Sequence, residues 1–208
     1  MPKLSVVIAT YNRAYILPRA LDSLLKQDFK DWEAWIVDDG STDDTKKIVE
    51  AYIDRGLPIN YIKQENQGVA MARSKAIPYC NGEYITFLDS DDWYKPEHLQ
   101  SRMNILLKNP KIDLLHGGFM VLGDPYVPNK NNLETKIHLS KCFVGATMFV
   151  KKEIIKELGG FKKLPLGADA DFFERAKEKG VKIMKTEIPT YVYDRTGVDS
   201  ITLSFNAQ

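Results

Sequence analysis

The sequence predicts an α/β fold, an open, mostly parallel (mixed) sheet flanked by helices on both faces. Two observations carry that prediction. Short, near-continuous apolar runs alternate with segments whose apolar residues recur at helical spacing, and two of the runs end in acidic turns. The 208 residues suit a single domain with a proper core, and 44% hydrophobic against 27% charged residues is ordinary for a globular protein.

Taken in order, Leu4 to Ala9 is a run expected of a strand covered on both faces. Ile16, Leu17, Ala20, Leu21, Leu24 and Leu25 follow at helical spacing. Trp32 to Val37 is the next strand, and Ser41 or Thr42 is placed to cap the helix carrying Ile48, Val49 and Tyr52. Ile59 to Ile62 reads as a third strand, Val69 to Tyr79 as a helix and Tyr84 to Leu88 as a fourth strand. Pro96 suits the first residue of the helix bearing Leu99, Met103 and Leu106. Beyond it, Leu114 to Leu122 and Cys142 to Val150 read as strands, separated by a polar loop from Pro125 to Lys136 that suits a flexible flap. Lys152 to Leu158 and Asp169 to Lys179 read as helices, and Val181 to Tyr193 as two short strands broken at Pro189.

Composition excludes some functions. Lys and Arg number 29 against 28 Asp and Glu, so the excess of positive charge that nucleic-acid binding needs is missing. Cys80 and Cys142 are too few for a disulfide framework, which points to a reducing cytoplasm. The first apolar stretch is too short to span a bilayer and no small-residue cleavage site follows it, so the sequence supplies no evident anchor.

The strongest chemical signal is Phe87-Leu88-Asp89-Ser90-Asp91-Asp92-Trp93. In extended chain, residues two apart point to the same side, so Asp89 and Asp91 converge at the end of an apolar strand. Carboxylates that close repel unless a proton or cation intervenes, and hard oxygen ligands suit Mg or Mn. An isolated Asp-x-Asp is more often a solvated turn, with Asp92 here capping the next helix; position at a strand's C-terminal end, where ligands collect, favours a site. Asp38-Asp39-Gly40-Ser41 places two further carboxylates at a strand end, acceptors for a base N–H or a ribose hydroxyl, or else a β-turn leading into a cap. Thr10-Tyr11-Asn12-Arg13 offers a ring for a nucleobase, with Asn12 fixing the loop, and Gly68 precedes a helix whose Arg73 presents a planar donor fork.

In this order the segments resemble the family-2 glycosyltransferases of the GT-A fold, from about Leu4 to Ser200. The motifs are Thr10-Tyr11-Asn12, Val37 through Asp43, Asn66-Gln67-Gly68 through Ala72-Arg73, Gly82 through Asp92, and Gly159-Gly160-Phe161. The resemblance implies one GT-A domain over residues 1–208, with a Rossmann-like nucleotide-sugar-binding half (1–95) and an acceptor-binding half (96–208). It implies an inverting transferase taking a sugar from a nucleoside diphosphate, most often UDP. The acceptor would be a hydroxyl on a glycan or lipid-linked chain, in cell-surface polysaccharide or glycan synthesis at the inner face of a membrane. Thr10, Tyr11, Asp38, Asp39, Gly68, Arg73, Asp89 and Ser90 would hold the donor and Asp91 a Mn or Mg ion bridging the diphosphate. Asp169 would be the general base, with Asp171 as its alternative.

The sequence departs from the family's pattern in three places. Ser74 replaces the usual Asn after Arg73, Ala168 replaces the Glu of a Gly-Glu-Asp segment, and Tyr193-Asp194-Arg195-Thr196-Gly197 lacks a late His. The altered acceptor segment leaves a second reading open, a degenerate member that binds a nucleotide sugar without turnover. An oxidoreductase on the same α/β pattern is disfavoured, because no Gly-x-Gly-x-x-Gly turn follows the first strand.

Overall fold

The computed structural model describes residues 2–129, 132–164 and 167–197. In chain order the elements are β1 (Leu4–Thr10), α1 (Leu17–Leu25), β2 (Trp32–Asp38), α2 (Thr45–Ile53), β3 (Ile59–Lys63), α3 (Val69–Ala76), β4 (Tyr84–Phe87), β5 (Trp93–Tyr94) and α4 (His98–Lys108). There follow β6 (Leu114–Leu122), β7 (Tyr126–Asn129), β8 (Asn132–His138), β9 (Phe149–Lys151), α5 (Lys152–Glu157), α6 (Ala168–Glu178) and β10 (Ile183–Asp194). Eight strands make one sheet in the order β3-β2-β1-β4-β9-β6-β10-β5. Its β3-β2-β1-β4 half is parallel, β9 is antiparallel to both β4 and β6, and β10 returns parallel to β6.

The alternation of a strand sends β1 into two cores. Leu4, Val6 and Ile8 pack with Leu21 of α1, Val49 of α2 and Leu99 of α4, whereas Val7 packs with Ala72 of α3, Ile155 of α5 and Phe172 of α6. Helices therefore cover both faces, as the continuous apolar run of β1 requires. The chain steps from β1 outward to β2 and β3, then crosses back to place β4 on the other side of β1. Loops leaving the C-terminal ends of β1, β2 and β4 diverge at that reversal and open a crevice between them.

The second half differs from expectation in several places. The segment read as a flap is an antiparallel hairpin, β7–β8, in which Val127 pairs with Ile137; Lys130 and Asn131 of that segment lie outside the described residues. Cys142 to Val150 is not one strand: a 3-10 turn spans Gly145–Thr147 and only Phe149–Lys151 pairs. The expected break at Pro189 is a register shift between Thr186 and Tyr191 within one long strand, β10. Neither Ser41 nor Thr42 caps α2. Asp43 accepts the Thr45 N–H at 3.1 Å, because Ser41 and Thr42 are engaged with Asn12. Pro96 stands two residues ahead of α4 rather than in its first position. Ser200, the far limit of the family resemblance, lies outside the described residues.

Candidate active site

A cleft of about 820 Å³ opens at the topological reversal, and Asp39, Asp91 and Asp169, from three separate stretches of chain, all line it. The loop after β1 is fixed by Asn12, whose backbone takes φ +51, the single positive value at a non-glycine among the described residues. Asn12 donates its N–H to Ser41 Oγ (2.9 Å) and accepts the Thr42 N–H on Oδ1 (2.8 Å), locking the first loop onto the second. Tyr11, held at that corner, stays half exposed on the cleft wall beside the buried Thr10.

Asp38 and Asp39 part company. Asp38 is fully buried and accepts the Ser41 N–H (2.7 Å) and the Tyr61 hydroxyl (2.5 Å), so it anchors the turn and stands outside the cleft lining. Burial, then the Asp38 carboxylate, pushes the Tyr61 hydroxyl well above its ordinary range, which keeps it a donor. Asp39 faces the cleft and gathers the third loop: Oδ1 accepts from Gln64 Nε2 (2.7 Å) and the Gln67 N–H (2.9 Å), and Oδ2 accepts the Gly68 N–H (2.7 Å). Gly68 takes φ +91, a conformation that glycine adopts without Cβ strain, and α3 starts from it.

From α3 the nearly buried Arg73 reaches Asp89 with Nη2 2.5 Å from Oδ1, its guanidinium 5.3 Å from the Phe87 ring. After β4, Asp89, Ser90 and Asp91 all line the cleft. Burial, then the Asp89 charge, raises the Asp91 carboxyl above its ordinary range, with Arg13, 4.0 Å away, acting against the rise. Arg19 donates to the Asp91 carbonyl and pairs with Asp194 at 2.7 Å. Asp92 caps no helix. It points inward, accepts the Tyr191 hydroxyl (2.5 Å) and the Asp194 N–H (2.8 Å), and so ties the acidic turn to the end of β10. Burial, then Asp89 and Asp91, drives its carboxyl well above the usual range.

Asp169 occupies the first turn of α6 behind Gly167, which takes the N-cap position itself. Its Oδ2 accepts the Gly145 N–H at 3.0 Å. Asp171 is spent on Arg175 (2.7 Å) and Lys162 (3.1 Å) and lines neither cavity. A second cavity of about 460 Å³ adjoins the first, and the two share Asp89, Gly167, Asp169 and Tyr193. Ser74 accepts the Phe161 N–H (3.2 Å), seating the Gly159-Gly160-Phe161 turn against the cleft.

Among the described residues, no group of three or more His, Cys, Asp and Glu side chains is placed to hold a metal ion. Asp91, with its raised carboxyl beside Asp89, offers an oxygen ligand on the cleft wall. That donor set fits a hard cation shared with phosphate oxygens, the usual manner of Mg. Arg13, Lys163, Gly145 and Tyr193 also build the site and were not among the residues picked from sequence. Arg13 and Tyr193 belong to motifs that were read, whereas Lys163 and Gly145 carry no signal before the chain folds.

The chain matches the family model "Glycosyl transferase family 2" over residues 5–163 and belongs to that family. It is 34% identical over 159 residues to the GalNAc(5)-diNAcBac-PP-undecaprenol beta-1,3-glucosyltransferase of Campylobacter jejuni, covering 76% of this chain and 47% of that protein. It is 38% identical over 109 residues to the putative teichuronic acid biosynthesis glycosyltransferase TuaG of Bacillus subtilis, covering 51% of this chain and 43% of TuaG. The chain thus spans less than half the length of either relative. Among solved structures, S. aureus TarS in complex with UDP-GlcNAc superposes with a TM-score of 0.80 at 25% identity, over 96% of this chain and 60% of TarS. The curled mixed sheet is the GT-A fold.

Proposed function

We propose that the protein transfers a sugar, with inversion, from a UDP-sugar to a hydroxyl of a glycan or lipid-linked acceptor in cell-surface polysaccharide synthesis. The observation that carries this reading is the pair of joined cavities, with Asp89 and Asp169 on their common border. A donor in the larger cleft and an acceptor in the smaller one meet where a carboxylate stands ready. Relatives in glycan and teichuronic acid synthesis, and a UDP-GlcNAc complex of a structural neighbour, support the substrate classes.

Asp39 favours uracil. A carboxylate offers about four acceptor positions, and Gln64, Gln67 and Gly68 take three. One position suits the single N3–H of uracil and not the two adjacent donors of guanine. Tyr11 supplies an exposed ring for the base to stack on.

In the transfer, the acceptor oxygen bonds to the anomeric carbon as the carbon–phosphate oxygen bond breaks and UDP departs. Asp169 takes the acceptor's proton, and its bond from Gly145 holds the carboxylate in place. Arg73 fixes Asp89 beside the donor sugar. Asp91 would hold Mn or Mg, which when bound offsets the negative charge of the diphosphate. We place the reaction in the cytoplasm, at the inner membrane face for a lipid-linked acceptor; both cysteines are free thiols, in keeping with a reducing compartment. No helix among the described residues is long and apolar enough to cross a membrane.

The test is a thermal-shift screen of UDP, GDP and their sugars, followed by turnover of the best donor. UDP-sugars should raise the melting temperature more than GDP-sugars, and Asp169→Asn should lower transfer roughly 10²–10⁴-fold while keeping that shift. Undiminished transfer by Asp169→Asn would remove Asp169 from its role. Donor binding without any turnover in the unsubstituted chain would favour the degenerate reading.

A further inference from the structure

We infer that Arg19 is a positioning residue for the donor site: it fixes the backbone of Asp91, and with it the carboxylate that would hold Mn or Mg. The inference rests on the proposed role of Asp91 and deepens it. Residues four apart share a face of a helix, so Arg19 and Ser23 stand in one row on α1, and Gln27 continues that row two residues past the helix end. The row engages backbone groups of the chain that leads out of the acidic turn. Arg19 Nη2 donates to the Asp91 carbonyl, and Ser23 Oγ accepts the Tyr94 N–H (3.2 Å). Gln27, fully buried, donates to the Lys95 carbonyl (2.9 Å) and accepts the Leu99 N–H (2.9 Å).

Arg19 is the member of the row that meets a residue of the donor cleft, yet it lines neither cavity itself. It therefore acts on the site through Asp91 and touches no substrate. Its guanidinium has three partners: the Asp91 carbonyl, the Asp194 carboxylate at 2.7 Å, and the Trp93 ring, whose centroid lies 4.1 Å away. Asp194 is itself held by the N–H (2.8 Å) and hydroxyl (2.6 Å) of Thr196. A planar fork meets two acceptors and an aromatic face at once, whereas a lysine ammonium offers neither plane nor fork. A single methylene joins an aspartate's carboxyl to its backbone, so a shift of the Asp91 backbone passes to the carboxylate almost undiminished. Mg coordination demands near-ideal geometry, so that shift weakens the site.

The test is a Mn titration of the full chain at saturating UDP, read as the Mn concentration that gives half of the Mn-dependent rise in melting temperature. Arg19→Met should raise that concentration about tenfold, the scale of losing a group that orients a metal ligand. The shift caused by uridine should stay as it was. Arg19→Lys keeps the charge but not the fork; it should also raise the half-saturating Mn concentration, and it keeps the test standing should Arg19→Met not fold. Gln27→Met breaks the same row away from the cleft. It should lower the melting temperature of the unliganded chain and leave the Mn titration unchanged, which separates positioning from general loosening. An unaltered Mn titration in both Arg19 variants overturns the inference. So does full rescue by Arg19→Lys, since charge alone would then be enough, or a loss in Gln27→Met equal to that in the Arg19 variants. A UDP shift in the unsubstituted chain that is the same in Mn and in EDTA defeats the reading of Asp91 itself, and this inference with it.

Discussion

A Cβ added at Gly145 would lie 2.4 Å from Asp169 Cβ and 2.5 Å from its Oδ2, closer than side chains pack. Gly145 has no positive φ, so alanine suits its backbone and the nearest collision falls on Asp169. Gly145→Ala should therefore displace the proposed base and lower kcat about 10²-fold, the scale of a 1 Å misplacement, while UDP-dependent stabilisation persists. A kcat equal to that of the unsubstituted chain would show that Gly145 does not position Asp169. Glu33, at the far end of the sheet, gives a pH prediction. Burial pushes its carboxyl up, but hydrogen bonds from the Asn81 N–H, Ser5 Oγ and the Asn81 amide outweigh this and hold it below the ordinary 4.5. A folded value below the unfolded one gives stability that is complete above 4.5 and fades as pH falls through the folded value. The melting-temperature gap between the unsubstituted chain and Glu33→Gln should thus narrow between pH 6 and pH 3; a constant gap would contradict it. At this scale the sequence shows which residue types cluster but not which neighbour faces the ligand. Asp38 and Asp39 look alike in the chain, and it is the Ser41 N–H and the Tyr61 hydroxyl on β3 that commit Asp38 to the turn.

The elements of the first half were legible because their strands are short runs rich in apolar residues and α1, α2 and α4 each carry an apolar stripe, so period largely separates them. In the second half the structure depends on partners that lie far along the chain. Phe149–Lys151 is only three residues, paired between β4 and β6, and just before it Gly145–Thr147 form a 3-10 turn. The β7–β8 hairpin was masked by Pro128 and by asparagines that suit loops, yet Pro128 sits in a two-stranded ribbon where every strand is an edge. The shift within β10 is held by Arg102, fully buried on α4. It donates to Thr190 Oγ1 and to the carbonyls of Gly117 (3.1 Å), Gly118 (2.8 Å) and Ile188 (2.8 Å), acceptors clustered where the register slips. Burial holds its guanidinium down to about 10, still charged at neutral pH. Arg102→Met should cost about 3 kcal/mol, because several buried acceptors lose their donor together, and urea denaturation measures it. A cost below about 0.5 kcal/mol, the range of ordinary surface substitutions, would mean that β10 keeps its path without the arginine.

Over the whole molecule the charges nearly cancel, at +1, but they are unevenly arranged. The donor cleft collects Asp39, Asp89, Asp91 and Asp169 against Arg13, Arg73 and Lys163. Asp39 is engaged by hydrogen bonds, Asp89 by Arg73 and Asp169 by the Gly145 N–H, which leaves Asp91 as the carboxylate with the least compensation. A diphosphate entering this cleft adds negative charge beside Asp91, and Arg13 at 4.0 Å is too distant to neutralise both. Under the proposed mechanism a divalent cation resolves that conflict, and the requirement must follow the phosphates rather than the base. Uridine should raise the melting temperature equally in Mn and in EDTA, whereas UDP should do so more strongly in Mn, by several degrees at saturating ligand. Asp91→Asn should remove the difference between Mn and EDTA for UDP and leave the uridine shift as it was. If UDP stabilises the unsubstituted chain equally in both buffers, the arginines and Lys163 suffice for the diphosphate, and Asp91 holds no metal.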